Sequence, residues 1–197
     1  MLEGIKKLHF VGIGGVGMSA IAEVMLDKGY EISGSDLSES AVVKHLKAKG
    51  ATIYKGHDAL NVEGKEALVL SSAIHQDNPE LVAAKAKGLK LFHRSDILAY
   101  LLNDAKGIAV AGAHGKTTTS SMISVVLEHA KVDPTILIGG FVDYLKGNAK
   151  LGKSDYLVAE ADESDGSFLK FYPKIAVVTN IEDDHMDHYG SMENIIK

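Results

Sequence analysis

The stretch "VAGAHGKTTTSS", residues 110–121, is close to the phosphate-binding loop signature G-x-x-x-x-G-K-[ST]. The general signature would place its first glycine at Val110, whereas the nearest glycine upstream of Gly115 is Gly112. The segment is therefore either a triphosphate site with a shortened loop or a turn that happens to contain two glycines. The sequence around it has to decide between these interpretations.

Short apolar runs alternate with segments of helical periodicity on both sides of this loop. The run "IAVAG" precedes it, a helix is predicted from Lys116 to about His129, and the runs "TILIGG", "YLVAEAD" and "IAVVTNI" follow. This alternation predicts parallel βαβ units, because the crossover helices must cover the faces of the sheet. The final "SMENIIK" reads as the opening of another helix, so we expect the chain to be part of a longer protein.

A triphosphate site would give the loop residues distinct roles. Lys116 would reach the β- and γ-phosphates, Thr117 would hold Mg²⁺, and the N–H groups of the loop would surround phosphate oxygens. Helix capping by Thr117 is the alternative, but it does not explain the lysine. The predicted ATP-binding residues are Gly112, Ala113, His114, Gly115, Lys116, Thr117 and Thr118.

Carboxylates follow the next predicted strand, in "YLVAEADESDGSF". They are Glu160, Asp162, Glu163 and Asp165. A carboxylate at a strand end beside a P-loop is in the position to hold the metal ion of the nucleotide. Glu160 is the best candidate because it is the first of the four after the strand, whereas some of the others are expected to form a solvated acidic loop.

A third strand end carries "TNIEDDHMDHYG", with His185, Asp187 and His188 close together. This group could be read as a zinc site, but the sequence has no histidine between residues 130 and 184 to complete one. We favour His185 as a residue beside a Mg²⁺–phosphate site and His188 as a surface residue.

A second glycine cluster, "GIGGVG", lies near the N-terminus and matches G-x-G-x-x-G at Gly12, Gly14 and Gly17. A strand precedes it, an amphipathic helix follows it, and Asp36 ends the second predicted strand. This context predicts a diphosphate bound at a helix N-terminus, with Asp36 able to accept a hydrogen bond from a ribose hydroxyl. The glycines alone do not distinguish NAD, FAD and a UDP-sugar.

The remainder of this section supports a Rossmann-like domain over residues 1–105. Its predicted strands are "YEISGSD", "ATIY", "ALVLSSAI" and "LKLFH", with helices at "SAVVKHLKAKG", from Pro79 with Asn78 as the cap, and near "SDILAYLL". Ser71 and Ser72 would lie at a strand end, where they could bind a ligand or merely end the strand. The polar stretch "LNDAKG" marks a domain boundary near residue 105, and residues 106–197 would form part of a P-loop α/β ATPase domain.

Composition excludes several classes of protein. The 197 residues carry a net charge of −5 without a basic stripe, which argues against a nucleic-acid partner. The absence of cysteine excludes disulfides and thiolate metal sites. Neither a signal-peptide profile nor an apolar window of membrane-spanning length is present, so we expect a cytoplasmic protein without membrane insertion.

Taken in order, these motifs resemble those of the Mur ligase family. The motifs that carry the resemblance are "GIGGVGMSAIAE", "SGSD", "SSAIHQDNPE", "GAHGKTTT", "AEADESDGSF" and "TNIEDDHMDHY", and they extend along essentially the whole chain. The family shows the same shortened G-x-x-G-K-T-T spacing, so the resemblance implies a true ATP site. Ala113 departs from the family, which commonly has threonine there, and this could alter one hydrogen bond of the loop.

The resemblance implies a two-stage ligation with ATP, Mg²⁺, UDP-N-acetylmuramate and L-alanine. ATP would phosphorylate the lactoyl carboxylate, and the amine of L-alanine would displace phosphate from the acyl phosphate. Lys116, Glu160, His185 and Asn148 would be catalytic, with Thr117, Glu160 and His185 as metal ligands. The implied UDP-sugar-binding residues are Gly12, Gly14, Gly15, Val16, Gly17, Met18, Ser19, Asp36, Ser71, Ser72, Ala73 and Ile74.

Alternatives remain at this stage. A murein tripeptide ligase of the same family is second, because its first glycine loop differs, and an NAD-binding module would explain Asp36 but not Lys116. Folylpolyglutamate-type ligases share the ATP domain but are not expected to have the first glycine loop. The family's C-terminal domain would be absent, so we expect the 197-residue chain alone not to ligate. Nothing in the sequence indicates an oligomeric state.

Overall fold

The structure, a computed structural model, describes residues 1–162, 166–183 and 189–196, and the chain divides into two compact units, Met1–Ile97 and Leu98–Lys197. The strands are β1 (Lys7–Val11), β2 (Glu31–Asp36), β3 (Thr52–Lys55), β4 (Ala67–Leu70), β5 (Lys90–His93), β6 (Lys106–Ala111), β7 (Thr135–Val142), β8 (Gly147–Lys150), β9 (Tyr156–Glu160) and β10 (Ile175–Val178). The α-helices are α1 (Val16–Asp27), α2 (Ala41–Ala48), α3 (Pro79–Ala86), α4 (Arg94–Asp104), α5 (Lys116–His129) and α6 (Met192–Ile196), and short 3₁₀ helices occupy Ala59–Val62 and Ser167–Lys170.

The first unit is built on a five-stranded parallel sheet in the order β3-β2-β1-β4-β5. This confirms the predicted Rossmann-like fold. The chain moves from β1 to one side of the sheet and later returns to the other side, so the carboxyl end of β1 lies at the switch in strand order. Ligands of open α/β sheets bind outside the carboxyl ends of the strands at such a point. The first glycine loop begins there.

Apolar residues of β1, α1 and the neighbouring strands form the core of this unit. The largest buried side chains are Leu8, Phe10, Ile13, Ile21, Met25, Ile32, Leu46, Leu68 and Ile97. Helix α3 begins as predicted, since the Asn78 side chain accepts hydrogen bonds from the N–H groups of Glu80 and Leu81 and Pro79 occupies the first turn.

A carboxylate is buried beside this core. Glu80 of α3 is fully buried and accepts hydrogen bonds from four side chains: His9 on β1, Ser35 on β2, His57 and Asn61. Burial raises the pKa of Glu80, but the hydrogen bonds from His9, Ser35, Asn61 and His57 outweigh it and lower the pKa from 4.5 to about 2. Glu80 is therefore ionised, and its hydrogen bonds join α3 to the two central strands β1 and β2.

The second unit contains a sheet in the order β10-β6-β9-β7-β8. Helix α5 has the predicted bounds, and β6, β7, β9 and β10 are parallel as expected. Strand β8 is a difference, because it pairs antiparallel with β7 and makes the sheet mixed. The four residues between Val142 and Gly147 can close a hairpin but are too few for a parallel crossover. Among the described residues, none of the helices combines the length and apolarity that crossing a bilayer requires.

The Glu80 network predicts an acid-sensitive contribution to stability. Because the folded-state pKa is lowered to about 2, the stabilisation is complete above pH 4.5 and is lost as the pH falls toward 2. Glu80→Gln should lower the free energy of unfolding of the first unit by about 3 kcal/mol at pH 7, and by less than half of that at pH 3.

Urea titrations at pH 7, 5 and 3 measure this difference. Glu31→Gln is the matched control, since this glutamate is largely exposed and lies 3.5 Å from Lys7, so its loss should cost about 0.5 kcal/mol or less. An equal cost of Glu80→Gln at pH 7 and pH 3 would contradict the assigned ionisation.

Candidate functional site

The glycine loop after β6 has the backbone conformation of a tight turn into α5. Gly112 and Gly115 have φ values of 129° and 81°, in the left-handed region that favours glycine. The first i→i−4 hydrogen bond of α5 runs from the Thr119 N–H to the Gly115 carbonyl. The N–H groups of residues 116–118 precede this bond and form the helix N-terminus, where an anion is stabilised.

The loop is held by the end of β10, a feature that the sequence analysis did not assign. The Asn180 side chain accepts a hydrogen bond from the His114 N–H and donates one to the His114 carbonyl, at 3.0 and 2.9 Å. The Thr179 hydroxyl donates to the same carbonyl at 2.6 Å. These residues are the "TN" of the third strand-end motif. Their position at a strand end, just before a group of acidic residues, was the only sign in the sequence that they could lie near the loop. The loop conformation therefore depends on a neighbouring strand.

Lys116 begins α5, and its ammonium group lies over the loop. Its Nζ donates to the Gly112 carbonyl at 2.6 Å and contacts the Ala113 carbonyl at 3.4 Å. The cation is thus placed within the concave side of the turn, where the phosphates of a nucleotide would lie. His114 points outward, with its side chain 70% exposed and its Nε2 3.5 Å from a Glu182 carboxylate oxygen.

Glu160 ends β9, which pairs with β6 directly beside the loop. Its Oε1 accepts a hydrogen bond from the hydroxyl of Ser120, a buried residue one turn after Thr117 in α5. Gly139 and Gly140 of β7 lie against these groups. A Cβ on Gly139 would stand 2.6 Å from Glu160 Oε2, and one on Gly140 would stand 3.2 Å from Thr117 Cγ2.

The Glu160 carboxylate and the Thr117 side chain therefore pack closely on the bare backbone of this glycine pair, which brings both side chains to the same stretch of β7. Carboxylate and hydroxyl oxygens are the hard ligands that Mg²⁺ prefers. Thr117 and Glu160 therefore fit as the protein ligands of a magnesium ion. Within residues 1–162, 166–183 and 189–196, no group of three or more His, Cys, Asp or Glu side chains could hold a metal by itself.

Two predicted catalytic residues, Asn148 and His185, stay predictions. Asn148 lies on β8 and is 7% exposed, across from the irregular part of β7. His185 falls outside the described residues, as do Asp187, His188 and the acidic residues 163 and 165.

At the first glycine loop, most N–H groups are used within the protein. The Gly12 and Ile13 N–H groups donate to the Ser35 carbonyl at 2.9 and 3.0 Å, and the Gly15 N–H donates to the Gly12 carbonyl at 3.1 Å. The Gly14 N–H donates to Asp36 Oδ2 at 2.8 Å. The predicted binding residues Gly12, Gly14 and Gly15 therefore shape the loop, and their N–H groups already have acceptors.

Asp36 closes the loop from β2. While Oδ2 accepts from Gly14, Oδ1 accepts from both the N–H and the hydroxyl of Ser38, at 3.0 and 3.1 Å. A carboxylate with three local donors is poorly placed to receive a ribose diol as well. This geometry weighs against the NAD-binding alternative, which depended on Asp36.

Helix α1 begins directly after the first glycine loop. Its first i→i−4 bond runs from the Ser19 N–H to the Gly15 carbonyl, so the N–H groups of residues 16–18 form the helix N-terminus. The side chains of Met18 and Ser19 are buried, and the Ser19 hydroxyl donates to the Val16 carbonyl at 3.0 Å. Any ligand contact of Met18 or Ser19 would therefore come from the backbone.

An arginine that the sequence analysis missed lies at this helix end. The Arg94 Nη1 is 3.2 Å from where a Cβ on Gly17 would stand. Arg94 directly follows β5, whose carboxyl end shares a sheet edge with β1. An approaching diphosphate would therefore meet a guanidinium group in addition to the helix N-terminus.

The predicted residues Ser71–Ile74 follow β4 at the same edge. Ile74 Cδ1 is 3.5 Å from where a Cβ on Gly12 would stand, and the Ser72 hydroxyl is 3.3 Å from His93 Nε2. His93 Nδ1 in turn lies 2.7 Å from the Ser95 hydroxyl. The structure thus brings Ile74 next to the glycine loop and Ser72 next to the end of β5.

In the second unit, a strand, a glycine loop and a helix present a lysine and a threonine beside a strand-end carboxylate, which is the arrangement of the P-loop class of nucleotide-binding proteins. Comparison with known families gives a more specific result. The Mur ligase family catalytic domain matches residues 7–117, and the Mur ligase middle domain matches residues 110–197. The chain belongs to the Mur ligase family.

Individual relatives agree with this assignment. The chain is 56% identical over 191 residues to the UDP-N-acetylmuramate–L-alanine ligase of Pelotomaculum thermopropionicum and 55% identical over 190 residues to that of Dictyoglomus turgidum. These alignments cover 97% and 96% of the chain but 41% of each relative. The chain therefore spans about two fifths of the length of the relatives it matches.

Solved structures show the same fold. A UDP-N-acetylmuramate-alanine ligase from Thermotoga maritima is 35% identical, with a TM-score of 0.88 over 96% of this chain and 45% of that one. A UDP-N-acetylmuramate:L-alanyl-gamma-D-glutamyl-meso-diaminopimelate ligase from Neisseria meningitides is 31% identical, with a TM-score of 0.89 over 98% of this chain and 65% of that one.

The two left-handed glycines of the P-loop differ in the space around them. A Cβ on Gly112 would collide with Thr179 and the backbone of Asn180, whereas a Cβ on Gly115 would meet nothing within 4 Å. We expect Gly112→Ala to destabilise the second unit by about 3 kcal/mol and Gly115→Ala by about 1 kcal/mol. Urea unfolding followed by circular dichroism measures both, and equal costs would contradict the assigned packing of Thr179 and Asn180 on the loop.

Proposed function

We propose that this chain is the part of an ATP-dependent amide-forming ligase that binds UDP-N-acetylmuramate through its first unit and the phosphates of ATP through its second. The reaction is the joining of L-alanine to the lactoyl carboxylate. The observation that carries the proposal is the placement of Lys116, Thr117 and Glu160 around one loop, where their chemistry matches a magnesium-bound triphosphate. The names of the relatives at 55–56% identity support the substrate.

The chemistry explains why a triphosphate site serves amide formation. A carboxylate does not react with an amine because its oxygen is a poor leaving group. Attack of a carboxylate oxygen on the γ-phosphorus breaks the bond to ADP and gives an acyl phosphate. The amine then attacks the acyl carbon, loses a proton, and phosphate departs with the electron pair of the broken C–O bond.

The residues of the second unit would contribute charge and position. Lys116 would move from the Gly112 carbonyl to the β- and γ-phosphates, since both interactions use the same ammonium group. The N–H groups of residues 116–118 would bind phosphate oxygens at the helix N-terminus. Thr117 and Glu160 would hold Mg²⁺, which supplies neutralisation of the charge that develops during phosphoryl transfer. His185 remains a predicted ligand of a second ion, and Asn148 a predicted contact of the γ-phosphate.

In the first unit, the diphosphate of the UDP-sugar would lie on the N-terminus of α1, between the glycine loop and Arg94. The loop N–H groups of Gly12, Ile13 and Gly14 donate to Ser35 and Asp36, so the diphosphate would be bound by the N-terminus of α1 and not by these groups. Ser71–Ile74 would contact the ligand from the end of β4. The protein would act in the cytoplasm, where the nucleotide substrates are found.

L-Alanine is favoured over a peptide as the amine substrate. The relatives at 55–56% identity are named UDP-N-acetylmuramate–L-alanine ligase. Among the solved structures the difference in identity is small, at 35% for the alanine ligase from Thermotoga maritima and 31% for the ligase from Neisseria meningitides, whose name includes a peptide. Both enzyme types would use the same acyl phosphate chemistry, so the names of the relatives at 55–56% identity, and not the P-loop geometry, carry this distinction.

Substitution of the loop lysine tests the ATP site. Lys116→Met should weaken binding of the non-hydrolysable analogue AMP-PNP with Mg²⁺ by about 100-fold or more, since it removes the ammonium group that pairs with the phosphates. Lys174→Met is the control, because Lys174 is exposed and lies just before β10, at the opposite end of the sheet from the loop. Equal affinity of Lys116→Met and Lys174→Met in calorimetric titration would refute the proposal.

The metal site makes a separate prediction. Removal of Mg²⁺ with EDTA should lower the affinity for AMP-PNP in the unaltered protein by about tenfold, because Thr117 and Glu160 would then face the phosphates without a bridging ion. Glu160→Gln should lower the affinity with Mg²⁺ and make it nearly insensitive to EDTA. If EDTA lowers the affinity of Glu160→Gln as much as that of the unaltered protein, Glu160 is not a ligand of the metal ion.

A further inference from the structure

Glu80 belongs to neither of the two proposed phosphate sites. It is the last residue of the motif "SSAIHQDNPE", and the binding of a diphosphate at the first glycine loop gives it no role. It is fully buried, and each carboxylate oxygen accepts two hydrogen bonds. Oε1 accepts from Asn61 at 2.7 Å and His9 at 3.3 Å, whereas Oε2 accepts from Ser35 at 2.7 Å and His57 at 2.9 Å. A buried carboxylate with four donors is a complete polar network, not a solvated group left inside by chance.

Stability alone does not account for such a group. Well-packed apolar side chains of the same volume often stabilise a core as much as a buried charged network does. A charged network differs from an apolar cluster in its directionality, because each donor must point at a particular oxygen atom. Its most direct effect is therefore on the orientation of the elements that provide the donors.

Ser35 connects this network to the glycine loop. Its hydroxyl donates to Glu80, and its carbonyl accepts the N–H groups of Gly12 and Ile13. The following residue, Asp36, accepts the Gly14 N–H. Three consecutive N–H groups of the loop are thus bonded to the end of β2. That strand end is in turn bonded to Glu80 through the Ser35 hydroxyl.

We propose that Glu80 is a positioning residue for the first glycine loop: through Ser35 it fixes the end of β2 to which the loop is bonded, and so sets the affinity of the loop for the diphosphate of the UDP-sugar. The proposal rests on the proposed function for the identity of the ligand. The positioning itself does not, since it concerns hydrogen bonds that exist without the ligand. Glu80 contacts no substrate in this account.

Strand β2 offers a matched pair of variants. Ser33 and Ser35 are both buried serines on the same face of β2, at 2% and 0% exposure, and both bond to the Glu80 network. Ser33 reaches it through His9, and the loop N–H groups bond to Ser35 instead. A general loss of stability would affect Ser33→Ala and Ser35→Ala alike, whereas loop positioning depends on Ser35.

The first measurement is amide hydrogen exchange of the whole 197-residue chain without ligand, followed by NMR. Ser35→Ala and Glu80→Gln should lower the protection of the Gly12 and Ile13 amides by about tenfold more than that of Leu68 in β4. Ser33→Ala should change the protection of the loop and of Leu68 by the same factor. Uniform loss of protection in Ser35→Ala would overturn the positioning role.

The second measurement is calorimetric titration with UDP-N-acetylmuramate at pH 7. The dissociation constant should rise about tenfold in Ser35→Ala and Glu80→Gln and stay within about twofold in Ser33→Ala, with AMP-PNP affinity unchanged in all three. Equal weakening by Ser33→Ala and Ser35→Ala would refute the inference. If the unaltered protein does not bind the UDP-sugar, the proposed function fails, whereas the exchange experiment still decides whether Glu80 positions the loop.

Discussion

The conformation of each glycine loop in this protein depends on hydrogen bonds from the end of an adjacent strand. At the first loop, Ser35 and Asp36 of β2 accept three consecutive N–H groups. At the second, Thr179 and Asn180, which follow β10, hold the backbone of His114 from both its N–H and its carbonyl. A glycine-rich segment has high conformational entropy, so it presents a helix N-terminus reproducibly only if other groups hold it in place.

This dependence divides the motifs of the chain into two kinds, those that form a binding surface and those that hold it in place. The glycines and the lysine form the proposed phosphate-binding surface, and "SGSD", "NPE" and "TN" contain the residues whose hydrogen bonds hold the two loops. Glu160 would combine the two roles, because it accepts a hydrogen bond from Ser120 in α5 and is the proposed metal ligand together with Thr117. Membership of the Mur ligase family, whose catalytic and middle domains match the chain, is consistent with two nucleotide-type loops in one protein.

Much of the fold could be predicted because it depends on local patterns. The alternation of apolar runs and amphipathic segments predicted the parallel sheet of the first unit, Asn78 predicted the start of α3, and the extent of α5 agrees with its prediction. Strand β8 was missed because "GNAK" has little β-propensity and pairs through a hairpin whose turn carries no strong signal.

The groups that hold the loops were missed for a different reason. Glu80 meets His9 across 71 residues, and Asn180 meets His114 across 66 residues, so no local pattern indicates either pair. Arg94 was missed for the same reason. It lies next to Gly17 only because β5 and β1 end at the same edge of the folded sheet. Asp36 was predicted to accept a hydrogen bond from a ribose hydroxyl, whereas in the structure its carboxylate accepts one from the Gly14 N–H of the loop itself.

The measurement that tests this account most directly is calorimetric titration of the unaltered 197-residue protein with UDP-N-acetylmuramate and, separately, with NAD⁺. Because Asp36 is committed to Gly14 and Ser38 while the N-terminus of α1 and Arg94 remain at the sheet edge, the account predicts binding of the UDP-sugar and no heat with NAD⁺. Binding of NAD⁺ without binding of the UDP-sugar would contradict it. That result would mean that the first unit is a dinucleotide-binding domain of the dehydrogenase type.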